Sequence, residues 1–105
     1  MSGRPMTESS ASIDSWAEAT FGPVSDLTAL VRRAELELME LREAINAGAS
    51  ADDIRAEAAD VAILLHRLVA LSGGDLGGEI DSKMAINRAR QWVASGDGTG
   101  SHTPM

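Results

Sequence analysis

The sequence predicts an all-α fold: a helical bundle built on an antiparallel hairpin of two long helices, with a short N-terminal helix and a C-terminal helix. Three observations carry this reading. Glycine and proline, which disfavour helix interiors, are absent from residues 24–47 and 49–72. Within these stretches the apolar residues recur at helical spacing, and nowhere does the chain show a strand pattern. The chain has 105 residues, 44% of them hydrophobic, but only Trp16, Phe21 and Trp92 are aromatic, so it fits one small domain with an aliphatic core.

The elements follow in order. Residues 1–12 read as a flexible tail, and a short helix around Ile13–Thr20 stops at Gly22-Pro23. Ser25 or Asp26 opens the first long helix, whose Leu27, Leu30, Val31, Ala34, Leu38, Leu41 and Ile45 form one core stripe. Gly48 suits its C-terminal end, and Ser50 followed by Asp53 resembles a capping box, so a connection of about four residues makes an antiparallel hairpin. The second long helix, about 51–72, is apolar almost all round and is expected to be central and buried. Gly73 and Gly74 end it, and Asp75 caps a last helix running to about Val93. Residues 95–105 read as a second flexible tail, which leaves 13–94 as the functional domain.

Charge and composition exclude several classes. Sixteen acids against nine bases give a net charge of −7, which opposes electrostatic binding to nucleic acid or an anionic membrane. The apolar stretch within 51–72 is too short and too charged for a membrane span. Without cysteine there is no disulfide or zinc-thiolate site, and the first twelve residues lack the apolar core of a secretory signal. A cytoplasmic protein with no nucleic-acid or membrane partner is expected.

The acids are not evenly spread. Glu37 and Glu40 are three apart on the first long helix, and Glu57 and Asp60 are three apart on the second, so each pair shares a helical face. A turn centred between residues 48 and 49 sets Glu40 opposite Glu57 and Glu37 opposite Asp60, with all four at one level beside the core. Converging carboxylates repel unless protonated or neutralised, and an oxygen-only ligand set selects Mg²⁺ or Mn²⁺. Such ions usually bind substrate phosphates as well. A solvated surface is the ordinary alternative for any one of these acids, but Glu57 and Asp60 interrupt an otherwise aliphatic helix.

On the last helix Lys83, Asn87 and Arg90 fall at i, i+4 and i+7, a spacing that puts them on one face able to grip phosphate oxygens. Lys83 is the only lysine beside eight arginines. Basic residues near a helix C-terminus also stabilise the dipole, the plainer explanation. Trp16 and Phe21, close together before the hairpin, could stack a base or simply pack the first helix. His66 reads as a hydrogen-bonded core histidine, and GGDLGG lacks the fixed pattern of a P-loop.

Together, E-x-x-E (Glu37, Glu40), E-x-x-D (Glu57, Asp60) and K-x-x-x-N-x-x-R-x-W (Lys83, Asn87, Arg90, Trp92) resemble the MazG-like members of the all-α nucleoside triphosphate pyrophosphohydrolase superfamily. The opening WAEATFGP is similar to a phage and prophage branch acting on dATP and dGTP. The resemblance spans about residues 13–92. Leu36 departs from it, standing where many members carry the first acid of E-E-x-x-E. The resemblance implies hydrolysis of a nucleoside triphosphate to the monophosphate and pyrophosphate, with purine deoxynucleotides and above all dGTP favoured, in phage purine-nucleotide modification. It implies Glu37, Glu40, Glu57 and Asp60 as catalytic metal ligands for two or more Mg²⁺ or Mn²⁺ ions. Lys83, Asn87 and Arg90 would hold the outer phosphates, with Trp16 and Phe21 at the base.

Two other readings compete: a house-cleaning hydrolase of damaged nucleotides, and a non-enzymatic helical interaction module. A ferritin-like di-iron bundle needs E-x-x-H motifs, and the chain has none. Leu36 and Met39 lie roughly opposite the core stripe of their helix, and the 56–71 segment is apolar on all sides. A homodimer at least is therefore expected, and the resemblance suggests a homotetramer, both forming a larger bundle.

Overall fold

The computed structural model describes residues 5–103. Four helices, α1 (Ser10–Phe21), α2 (Leu27–Asn46), α3 (Ala51–Leu71) and α4 (Leu76–Ala89), are followed by two short strands, β1 (Trp92–Ala94) and β2 (Gly100–His102). Local sequence sets the helix ends. Asp26, Ser50 and Asp75 are the N-caps of α2, α3 and α4, each side chain accepting from a backbone amide of its own first turn. Gly48, at φ +76°, takes the left-handed conformation that lets the chain reverse between α2 and α3. The expected hairpin forms, and α3 is its central member, packed against α2 and α1 and more lightly against α4.

Three expectations are corrected. The first helix starts earlier than residue 13: Ser9 and Ser12 form a reciprocal capping box, so residues 10–12 belong to α1, and Ser10 is fully buried. The last helix stops at Ala89 rather than near Val93, because Arg90 is already extended. Strands also exist: Trp92 pairs with His102, Val93 with Ser101 and Ala94 with Gly100, so the stretch read as a tail holds β2. A Cβ on Gly100 would lie 2.4 Å from the Val93 carbonyl oxygen, which leaves room only for glycine.

Centrality does not bring burial. The deeply buried apolar residues are Ile13, Ala17, Leu30, Ala34 and Val61, while Val31, Leu38 and Ile45 of the expected core stripe stay about half exposed. On α3 only Val61 and Arg67 are deeply buried, so the expectation of a buried helix fails for the single chain. Its surface is 7980 Å², against about 5,600 Å² for a compact monomer of this mass. The radius of gyration is 16.0 Å, where a compact chain of this length gives about 13 Å. Among the described residues no helix is long and apolar enough to cross a membrane.

Candidate active site

The hairpin brings acids of α2 and α3 together as the register predicts. Carboxylate oxygens of Glu37, Glu40 and Glu57 all lie within 4.8 Å of one another. Asp60 is outside this tight group, but its charge still reaches Glu37. The Glu37 side chain is only 12% exposed, and Arg33 one turn earlier pairs with it at 3.0 Å. Burial, a hydrogen bond with Glu40 and the charges of Glu40 and Asp60 outweigh Arg33 and raise the Glu37 carboxyl above its ordinary range.

Glu57 adds the sharpest detail: its Oε2 is buried and has no hydrogen-bond partner among the described residues. A buried carboxylate oxygen without a donor is costly, and a hard cation would relieve both that orphan and the mutual repulsion of the acids. The donor set is all oxygen, so it fits Mg²⁺ or Mn²⁺.

The basic stripe is placed differently from expectation. Lys83 and Arg90 are exposed and Asn87 half-buried, and Arg90 sits past the end of α4, so the three do not share one helical face. The Asn87 carbonyl accepts the Trp92 indole N–H at 2.7 Å and the Arg90 amide at 3.2 Å, which fastens β1 to the end of α4. Among the described residues, no ion pair or hydrogen bond joins Lys83 or Arg90 to the carboxylates.

A groove of about 870 Å³ runs between residues 5–8, α1 and α3, within the size range of small-molecule sites. Trp16 lines it beside Ala59, Ala62, Ile63 and His66. Phe21 does not line it. Instead Phe21 meets the Trp16 ring edge to face, centroids 5.5 Å apart.

Two polar junctions that the sequence analysis did not single out anchor α1. Ser10 Oγ lies 2.8 Å from His66 Nδ1 and accepts the Leu76 amide at 2.8 Å, while the Ser10 amide donates to Asp75 at 3.1 Å. The amides of Ser10 and Gly78 hold the Asp75 carboxyl below its ordinary range. Nearby, the buried Arg67 guanidinium pairs with Asp14 at 3.1 Å and donates to the Gly22 carbonyl at 2.8 Å. A hydrogen-bonded His66 agrees with the sequence reading, but its partner lies 56 positions away, beyond any spacing rule.

An all-α bundle with a carboxylate cluster across its central hairpin defines the class structurally. No family model matches the chain. A dATP/dGTP diphosphohydrolase of Salmonella phage PMBT28 is 38% identical over 92 residues, covering 86% of this chain and 29% of that protein. Another of the same name, from Cyanophage S-2L, is 40% identical over 67 residues, covering 64% of this chain and 62% of its own length. The chain thus spans less than two thirds of either relative. Among solved structures, the Cyanophage S-2L MazG-like pyrophosphohydrolase, bound to dGDP and three catalytic Mn²⁺ ions per active site, superposes with a TM-score of 0.69. It is 34% identical, and the match covers 90% of this chain and 93% of that one. The chain belongs to the MazG-like pyrophosphohydrolase family.

Proposed function

We propose that this chain is a metal-dependent pyrophosphohydrolase that converts a nucleoside triphosphate and water to the monophosphate and pyrophosphate, favouring purine deoxynucleotides and dGTP first. The observation that carries this is the orphaned Oε2 of Glu57 within a cluster of acids lying within 4.8 Å of one another. Likeness to a neighbour that binds dGDP and Mn²⁺ supports the same substrate class. Glu37, Glu40, Glu57 and Asp60 would hold two or more Mg²⁺ or Mn²⁺ ions. When bound, such ions neutralise phosphate charge and acidify a water nucleophile. Water oxygen bonds to phosphorus, the bridging bond between the α- and β-phosphates breaks, and pyrophosphate leaves.

The other residues bind and orient. Trp16, braced by Phe21, offers its ring to the base within the groove. Lys83 and Arg90 have no ion pair among the described residues, which leaves both cations for the outer phosphates, with Asn87 beside them. The assembly is a homodimer or homotetramer. The single chain exposes about 2,400 Å² beyond a compact monomer of its mass, well above the roughly 800 Å² each partner gives to one standard interface. The setting proposed is the host cytoplasm.

The test is pyrophosphate release from a panel of deoxynucleoside triphosphates with Mn²⁺ or Mg²⁺. Release from dGTP that stops on chelation is expected. No release from any nucleotide overturns the reading in favour of a helical interaction module. Light scattering at micromolar concentration checks the assembly, and a stable 11 kDa monomer would contradict it.

A further inference from the structure

The acid cluster of α2 and α3 carries a cation of its own. Arg33 Nη2 lies 3.0 Å from Glu37 Oε1, and among the described residues no other ion pair reaches Glu37, Glu40, Glu57 or Asp60. One positive charge thus faces four negative ones. It serves a single carboxylate, and the buried Oε2 of Glu57 is left without a partner.

The two partners are unequally held. The Glu37 side chain is 12% exposed, whereas that of Arg33 is 59% exposed. The acid is fixed in place, and the guanidinium is free to turn into water. Nor is the pair arranged to reinforce the helix: an acid N-terminal to a base at i,i+4 is the favourable order, and here the base comes first. What the contact accomplishes is partial neutralisation of crowded carboxylates, and a dication ligated by Glu37 does the same with twice the charge. Two cations at one largely enclosed carboxylate repel each other at close range, with little water between to screen them.

We propose that Arg33 is a displaceable counter-ion: it holds Glu37 while no metal is bound and gives up the carboxylate to Mg²⁺ or Mn²⁺, so that it sets how tightly the cluster takes an ion. Arg33 is a positioning residue that acts through Glu37. Its neighbour Arg32 carries the same charge but donates to the Thr28 hydroxyl at 3.3 Å and pairs with no acid of the cluster. This assignment rests on the proposed metal-dependent activity and adds the residue that competes with the ion.

The experiment titrates Mn²⁺ calorimetrically into the wild-type chain, Arg33→Gln, Arg33→Lys and Arg32→Gln, with no nucleotide present. Arg33→Gln should bind about threefold more tightly, the scale of one exposed ion pair, while Arg33→Lys and Arg32→Gln stay close to wild type. Melting temperature is a second readout. Arg33→Gln should melt about 2–4 °C lower without metal and unchanged with saturating Mn²⁺, because a contact absent from the loaded form stabilises only the other. In ¹⁵N spectra, diamagnetic Mg²⁺ should release the hindered Arg33 guanidinium into free rotation. Unchanged or weaker Mn²⁺ binding by Arg33→Gln, an equal gain in Arg32→Gln, an equal drop in melting temperature with and without metal, or a guanidinium that stays hindered overturns the counter-ion while leaving the metal site standing. A wild-type chain that binds neither Mn²⁺ nor Mg²⁺ overturns the metal site beneath it.

Discussion

The two polar regions on α3 are built on opposite principles. At the α1 junction, Ser10 engages His66 and Asp75, and Arg67 engages Asp14 and the Gly22 carbonyl, across 45 to 65 positions of sequence. On the α2 side, Glu37, Glu40 and Glu57 crowd together with one arginine among them and one oxygen left unpaired. Satisfied polar groups hold a fold, whereas a cluster left unsatisfied by its own chain is poised for something from outside.

The strongest way to break this contrast is to exchange the regions' outcomes by mutation. Glu57→Gln should lower pyrophosphate release at least about 100-fold, since even residues supporting metal ligands cost 10–100-fold. The metal-free melting temperature of that variant should be unchanged or higher, because like-charge repulsion is relieved; a clear drop would assign Glu57 a structural role. Arg67→Ala should do the reverse, costing roughly 3 kcal/mol in denaturant unfolding by stranding Asp14 and the Gly22 carbonyl. Ser10→Ala should cost about 1–2 kcal/mol, since it leaves the Leu76 amide without its acceptor.

The smallest expected effect sharpens the comparison through pH. The Asp75 carboxyl is lowered in the folded state, so its contribution to stability is full above the ordinary value of 3.8 and is lost as pH falls through the lower folded value. Asp75→Asn should therefore flatten the acid limb of the stability curve below about pH 4 and leave its neutral slope unchanged, as followed by circular dichroism. Glu37 is shifted the opposite way, so acid does not destabilise the metal-free fold through that group.

What the sequence disclosed was whatever local rules govern. The α2–α3 hairpin and its acid register were legible because Gly48, Ser50 and two i,i+3 pairs act within a few residues. The α1 junction was not, because Ser10 reaches partners 56 to 66 positions away. Arg90 was misplaced by treating the last helix as continuous, although Gln91 and Trp92 already lead into a strand. The glycines after it suggest slackness, yet Gly96 and Gly98 adopt positive φ in the turn and Gly100 permits a close backbone approach. Exposure of Leu38 and Ile45 escaped the helical pattern, which marks an apolar stripe without saying which surface covers it.

Because one uninterrupted helix carries both Glu57 and His66, α3 works as a ruler. Nine residues at 1.5 Å each set these two positions about 13 Å apart along its axis. Neither mark can slide while the hydrogen-bonded backbone between them stays intact. A point substitution changes what stands at a mark, but only an insertion or deletion changes the interval, and one residue would also turn the far mark by about 100°. The interval between the acid cluster and the α1 junction is thus written into helix geometry, while the side chain at each end stays open to revision one substitution at a time.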